Sequence, residues 1–108
     1  MLWINTSLKI LSMANCLLKD DGMNALCDGL ERNTSIQTLI LNNNHITDLS
    51  IKTLSKRLRQ TKLYIKTLDL SYNYITHKSG RGLMESLVRN DSITTLIINN
   101  NSLGDDSA

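Results

Sequence analysis

Phenylalanine and proline are absent from these 108 residues, and aromatic residues of all kinds make up 4% of the chain. Without proline there is no polyproline linker and no forced kink, so nothing marks a domain boundary. With so few aromatics, any core has to be aliphatic. Charge of one sign is also scarce: the formal net charge is +2, too small and too mixed to suggest nucleic acid, which calls for a strongly basic stripe. Cysteine is limited to Cys16 and Cys27, which fit neither a CxxC zinc cluster nor a dense disulfide framework. Both are expected to be free thiols in a reducing, cytoplasmic setting. The apolar opening MLWINTSLKI is interrupted by Lys9, and no run approaches the length of a membrane span. Neither a signal peptide nor a membrane partner is expected. What remains is 41% apolar and 20% charged, ordinary for a single globular domain.

A fixed period accounts for most of that apolar content. Leu8-x-x-Leu11-x-Met13-x-x-Cys16-x-Leu18 aligns with Ile36-x-x-Leu39-x-Leu41-x-x-Asn44-x-Ile46, then with Ile65-x-x-Leu68-x-Leu70-x-x-Asn73-x-Ile75 and Ile93-x-x-Leu96-x-Ile98-x-x-Asn101-x-Leu103. The first members stand at 8, 36, 65 and 93, spaced by 28, 29 and 28 residues. Between these blocks, Leu26 and Leu30, Leu54 and Leu58, and Leu83 and Leu87 are pairs four apart, the spacing of one helix face. Each unit therefore reads as strand, turn, helix. Strands are expected near 8–13, 36–41, 65–70 and 93–98. Asp20 or Asp21, and Asp48, signal helix starts. The exits at Asn33 and Asn90 suit a left-handed helix end.

The pattern LxxLxLxxN/CxL followed by LxxxL resembles the leucine-rich repeats of the ribonuclease-inhibitor type, and the resemblance spans residues 1–108. It implies an α/β horseshoe solenoid with parallel strands on the concave face and helices on the convex face. About three and a half repeats are present. Solenoids need polar terminal caps, and neither end of the pattern carries one, so the chain is expected to be a fragment of a longer array. Cys16, Asn44, Asn73 and Asn101 share one register position, where an inward amide satisfies backbone groups of the turn.

Function in such an array falls on residues between the core positions. The central outward strand position reads Ser12, Ile40, Asp69, Ile97. The following loop reads Asn15, Asn43, Tyr72, Asn100, then Leu17, His45, Tyr74, Ser102. Tyr72 and Tyr74 combine apolar area with a polar tip, a composition enriched at binding hot spots. With Asp69, solvent-facing Ile40 and Ile97, and displayed Asn42 and Asn43, they form a candidate anchor patch for a protein partner. Lys52, Lys56, Arg57, Arg59, Lys62 and Lys66 read as a solvated convex face without interleaved aromatics.

No catalytic group is expected. His45 and His77 lack a carboxylate or cysteine at ligand spacing, and Ser79-Gly80-Arg81-Gly82 lacks the lysine and hydroxyl of a phosphate loop. The Asn-x-Ser patterns at Asn5, Asn33, Asn90 and Asn100 recur with the repeat and read as structural. No cofactor or metal is expected. The expected role is a non-catalytic protein-interaction module. The alternatives are a fragment of a regulatory leucine-rich-repeat protein, GTPase-activator-like or a nucleotide-binding sensor, and a structural spacer.

Overall fold

Two apolar residues in alternation, such as Leu39 and Leu41, fall on one face of an extended strand, and a pair four apart, such as Leu54 and Leu58, lines one face of a helix. These two periods alternate along the chain. The computed structural model describes residues 8–30, 35–60, 64–90 and 92–101. They run β1 (Ile10–Ser12), α1 (Lys19–Leu30), β2 (Thr38–Ile40), α2 (Asp48–Gln60), β3 (Thr67–Asp69), α3 (His77–Asn90) and β4 (Thr95–Ile97). The strands form a parallel sheet in the order β1-β2-β3-β4. Parallel neighbours cannot be joined by a tight turn, so each strand reaches the next through a helix.

Register pairs equivalent residues of successive repeats. Leu11 lies beside Leu39, Leu39 beside Leu68, and Leu68 beside Leu96. One repeat of sequence is therefore one step across the sheet. The strands are shorter than the six-residue spans expected from the sequence, with three residues each. Cross-repeat bonds nevertheless continue past them, from Leu41 N–H to Asp69 O at 2.8 Å and from Asn43 N–H to Ser71 O at 3.1 Å. The chain leaves extended geometry just there, because Asn43 and Tyr72 adopt left-handed backbone angles.

The core is one aliphatic cluster in which strand residues Leu39 and Leu68, and Leu41 and Leu70 just past the strands, meet helix residues Leu54, Leu58 and Leu83. Each fully buried leucine contributes about 1.5–3 kcal/mol through area removed from water. Residues at equivalent positions in the outer repeats, Leu11, Met13, Leu96 and Ile98, are only partly buried against the same cluster. The middle repeats are covered on both sides, which is how a repeat that cannot bury its faces alone becomes stable.

Two expectations about helix ends change. Asp20 and Asp48 direct their bonds to the next repeat, not to their own helices. The Asp20 carboxylate accepts the Thr47 N–H at 3.0 Å and the Thr47 and Ser50 hydroxyls at 2.5 Å each. Asp48 likewise accepts the Thr76 N–H at 2.8 Å and the Thr76 and Ser79 hydroxyls. Thr47 in turn caps α2 through its hydroxyl, which accepts the Leu49 N–H at 3.3 Å. At the other end of α3, Asn90 is not among the left-handed residues. Its side-chain oxygen instead accepts the Ser92 N–H at 3.2 Å and the Ser92 hydroxyl. Asn33 lies outside the described residues.

Candidate functional site

The shared turn position builds a ladder that joins repeats. Asn44, fully buried, accepts the Cys16 and Leu18 N–H groups at 2.9 and 3.2 Å and donates to the carbonyls of Met13, Leu41 and Asn42. Asn73 repeats this one step on, accepting the Asn44 and Ile46 N–H groups at 2.9 and 3.0 Å and donating to Leu41, Leu70 and Ser71. Asn101 accepts the Ile75 N–H at 2.9 Å and donates to Leu70, Ile98 and Asn99. Each amide thus satisfies groups of its own turn and of the preceding repeat. Cys16 departs from this pattern: its thiol is exposed and, among the described residues, donates only to the Ala14 carbonyl, at 3.4 Å. A thiol is too weak a hydrogen-bonding group to replace an amide.

The outward face of the sheet carries the central row of candidates. Ile40 and Ile97 are not on neighbouring strands. They flank Asp69, which is paired with both. Ile40, covered by strands on either side, is half-buried and not fully displayed, while Ile97 on β4 is 38% exposed. Asp69 is half-buried, and one of its oxygens accepts the Ser71 N–H at 3.0 Å and the Ser71 hydroxyl at 2.7 Å.

Beyond the strands, the loop position Asn15, Asn43, Tyr72, Asn100 has a left-handed backbone in all four copies, with φ of 58°, 58°, 57° and 61°. Asparagine tolerates this region because its short side chain avoids the usual penalty, whereas a bulky residue there is an outlier. Three copies therefore have a backbone reason for their residue. Tyr72 has the opposite: it occupies a strained position and remains 58% exposed. Tyr74, also 58% exposed, sets its ring edge-on to His45 of the preceding repeat, with centroids 5.3 Å apart and planes at 89°. Leu17 and His45 are themselves left-handed and exposed. The result is an exposed ridge of Tyr72, Tyr74 and His45 beside the Asp69 row.

The structure separates the remaining candidates. Asn42 is half-buried, with its carbonyl accepting the Asn15 N–H at 3.1 Å. Asn43 is exposed, but its amide donates to the Asn15 side chain, so it is not wholly free for a partner. The 29-residue offset between His45 and Tyr74 is one repeat, and stacking of repeats brings the two rings together. In the basic run, Arg57 pairs with Asp28 and Arg59 donates to the Ser86 hydroxyl at 3.3 Å. Lys52, Lys56 and Lys66 are exposed, and Lys62 lies outside the described residues.

Ser79-Gly80-Arg81-Gly82 lies within α3, and Asn90 within the turn described above. Asn5 is outside the described residues. Among the described residues no group of histidine, cysteine and acidic side chains is arranged to hold a metal ion, and no helix is long and apolar enough to cross a membrane.

The family profile described as "PRAME C-terminal domain" matches residues 1–107. NACHT, LRR and PYD domains-containing protein 4C of Mus musculus is 30% identical over 98 residues, 91% of this chain and 10% of that protein. NACHT, LRR and PYD domains-containing protein 5 of Homo sapiens is 35% identical over 77 residues, 71% of this chain and 6% of that protein. The chain thus spans a tenth or less of the length of these relatives.

Among solved structures, leiomodin-1 actin-binding site 2 superposes with a TM-score of 0.78 at 23% identity, over 86% of this chain and 54% of that one. The tropomodulin C-terminal domain of Caenorhabditis elegans gives 0.79 at 19%, over 90% and 58%. At such identities the likeness is of fold alone. The fold is related to leucine-rich repeats.

Proposed function

The chain belongs to the PRAME C-terminal domain family, and from that premise we propose that it is a non-catalytic protein-interaction module presenting its outward sheet face and the loops beyond it. The observation that carries this reading is Tyr72. A bulky residue held in a left-handed backbone costs about 1–2 kcal/mol, while the equivalent positions Asn15, Asn43 and Asn100 avoid that cost. Strain of this kind concentrates at functional positions. A tyrosine kept there with most of its surface in water is suited to anchoring a partner. Tyr74, His45, Asp69, Ile40 and Ile97 supply the surrounding contacts, and Asn42 and Asn43 lie at the margin. The mechanism is display of a surface by a repeat scaffold, without an enzyme's chemistry and without a cofactor.

Quantitative affinity capture tests the reading, comparing the wild type with a Tyr72→Ala, Tyr74→Ala double variant. Loss of captured protein is expected, and undiminished capture would sink it.

A second reading concerns the whole to which the module belongs. Relatives named for NACHT, LRR and PYD domains, of which the chain spans a tenth or less, favour a segment of a longer regulatory leucine-rich-repeat protein over a spacer. In that case the repeats are of the ribonuclease-inhibitor type, curve into a horseshoe, and work in the cytoplasm, where Cys16 and Cys27 stay reduced. Transcript sequencing on both sides of these 108 codons tests this. Further repeats or a nucleotide-binding domain in frame are the expected result, and a stop immediately on either side would contradict it.

A further inference from the structure

Asp69 is the one charged side chain among the outward residues of the four described strands. Ile40 and Ile97 are paired to it on either side. The Ser71 N–H and hydroxyl both bind Oδ1, occupying that oxygen's two lone pairs. Oδ2 has no hydrogen-bond partner among the described residues, and Asp69 forms no ion pair there.

A carboxylate with one oxygen clamped and the other open between two apolar side chains is oriented in advance for a cation. No further ordering is needed on binding. Once the isoleucines are covered, water is excluded and the attraction strengthens. We infer that the partner presents a lysine or arginine side chain to Asp69 Oδ2, with apolar residues on either side of it seated over Ile40 and Ile97. This rests on the reading of the chain as an interaction module.

The spacing selects a helical segment. Neighbouring strands lie about 4.8 Å apart, and a helix advances about 5.4 Å per turn. An amphipathic helix laid across the strands therefore sets apolar, basic and apolar residues of successive turns over Ile40, Asp69 and Ile97. An acidic residue at the middle turn is rejected, because like charges brought together out of water are costly.

Selection of displayed, helix-biased random peptides on the immobilised 108-residue chain tests the inference. The expected consensus has lysine or arginine with apolar residues three or four positions away on both sides. Asp69→Asn keeps the shape and the Oδ1 acceptor, so circular dichroism should not change, while affinity for the selected peptides falls by about tenfold and its salt dependence fades. Asp69→Lys should turn the consensus acidic.

A consensus without a basic residue, or affinity indifferent to Asp69→Asn, would overturn the inference. If affinity depends on Tyr72 and Tyr74 but not on Asp69, the cation site falls and the interaction module stands. A library that yields no binder counts against both.

Discussion

An asparagine amide offers two donors and an acceptor oxygen with two lone pairs, and Asn73 spends both ends on two repeats at once. Removing it leaves the Asn44 and Ile46 N–H groups and the Leu41 and Leu70 carbonyls without that partner in a buried turn. Asn73→Ala should destabilise the fold by about 3 kcal/mol or more, since each unsatisfied buried group costs about 1–3 kcal/mol. Asn101→Ala should cost less, because Asn101 is half-buried and, among the described residues, accepts from Ile75 alone. Urea unfolding of the two variants checks the order.

At this scale the sequence is only partly legible. Asn44 announces itself by recurring every 28 or 29 residues. Asn43 recurs too, but the left-handed φ that explains it is a backbone property and leaves no mark in composition. Tyr72 stands out in the sequence as an anchor by its side chain, but its strain emerges only from geometry.

The elements are joined by a second device, the carboxylates of Asp20 and Asp48 that hold the start of the next helix. Burial, the largest single influence, pushes both pKa values up, but the bonds from Ser50 and Thr47, or from Ser79 and Thr76, together outweigh it and leave both below the ordinary value. For Asp48 the nearby Lys52 charge adds to the lowering. A carboxyl group whose folded pKa is depressed contributes stability that is fully present above the unfolded value of about 3.9 and is lost as pH falls through the folded value. Thermal melts should therefore show stability declining below about pH 4, and Asp20→Asn with Asp48→Asn should flatten that decline.

Helix α3 offers the opposite lever. A Cβ built on Gly82 meets nothing within 4 Å, so Gly82→Ala should stabilise by about 0.5–1 kcal/mol, read as a rise in melting midpoint. Helix and strand alternation was legible because periods of two and of four were both plain. Strand length was not, since Leu41 and Leu70 keep the apolar alternation after the chain has begun to turn.

Across the whole molecule, the offset of 28 or 29 residues maps one repeat onto one step of the sheet, so Ile40, Asp69 and Ile97, far apart in the chain, become a contiguous row. That row was legible once the repeats were aligned. The bonding that leaves Asp69 Oδ2 open was not, because it depends on where Ser71 points.

Stability and recognition meet at Tyr72, and a single substitution separates them. Tyr72→Asn installs the residue found at Asn15, Asn43 and Asn100, so the left-handed backbone should relax and stability should rise by about 1 kcal/mol. Denaturant unfolding and affinity capture on the same protein provide both readings. Higher stability with weakened capture is the expected pair; higher stability with capture unchanged would mean that Tyr72 is no anchor, and would contradict the proposed role of this surface.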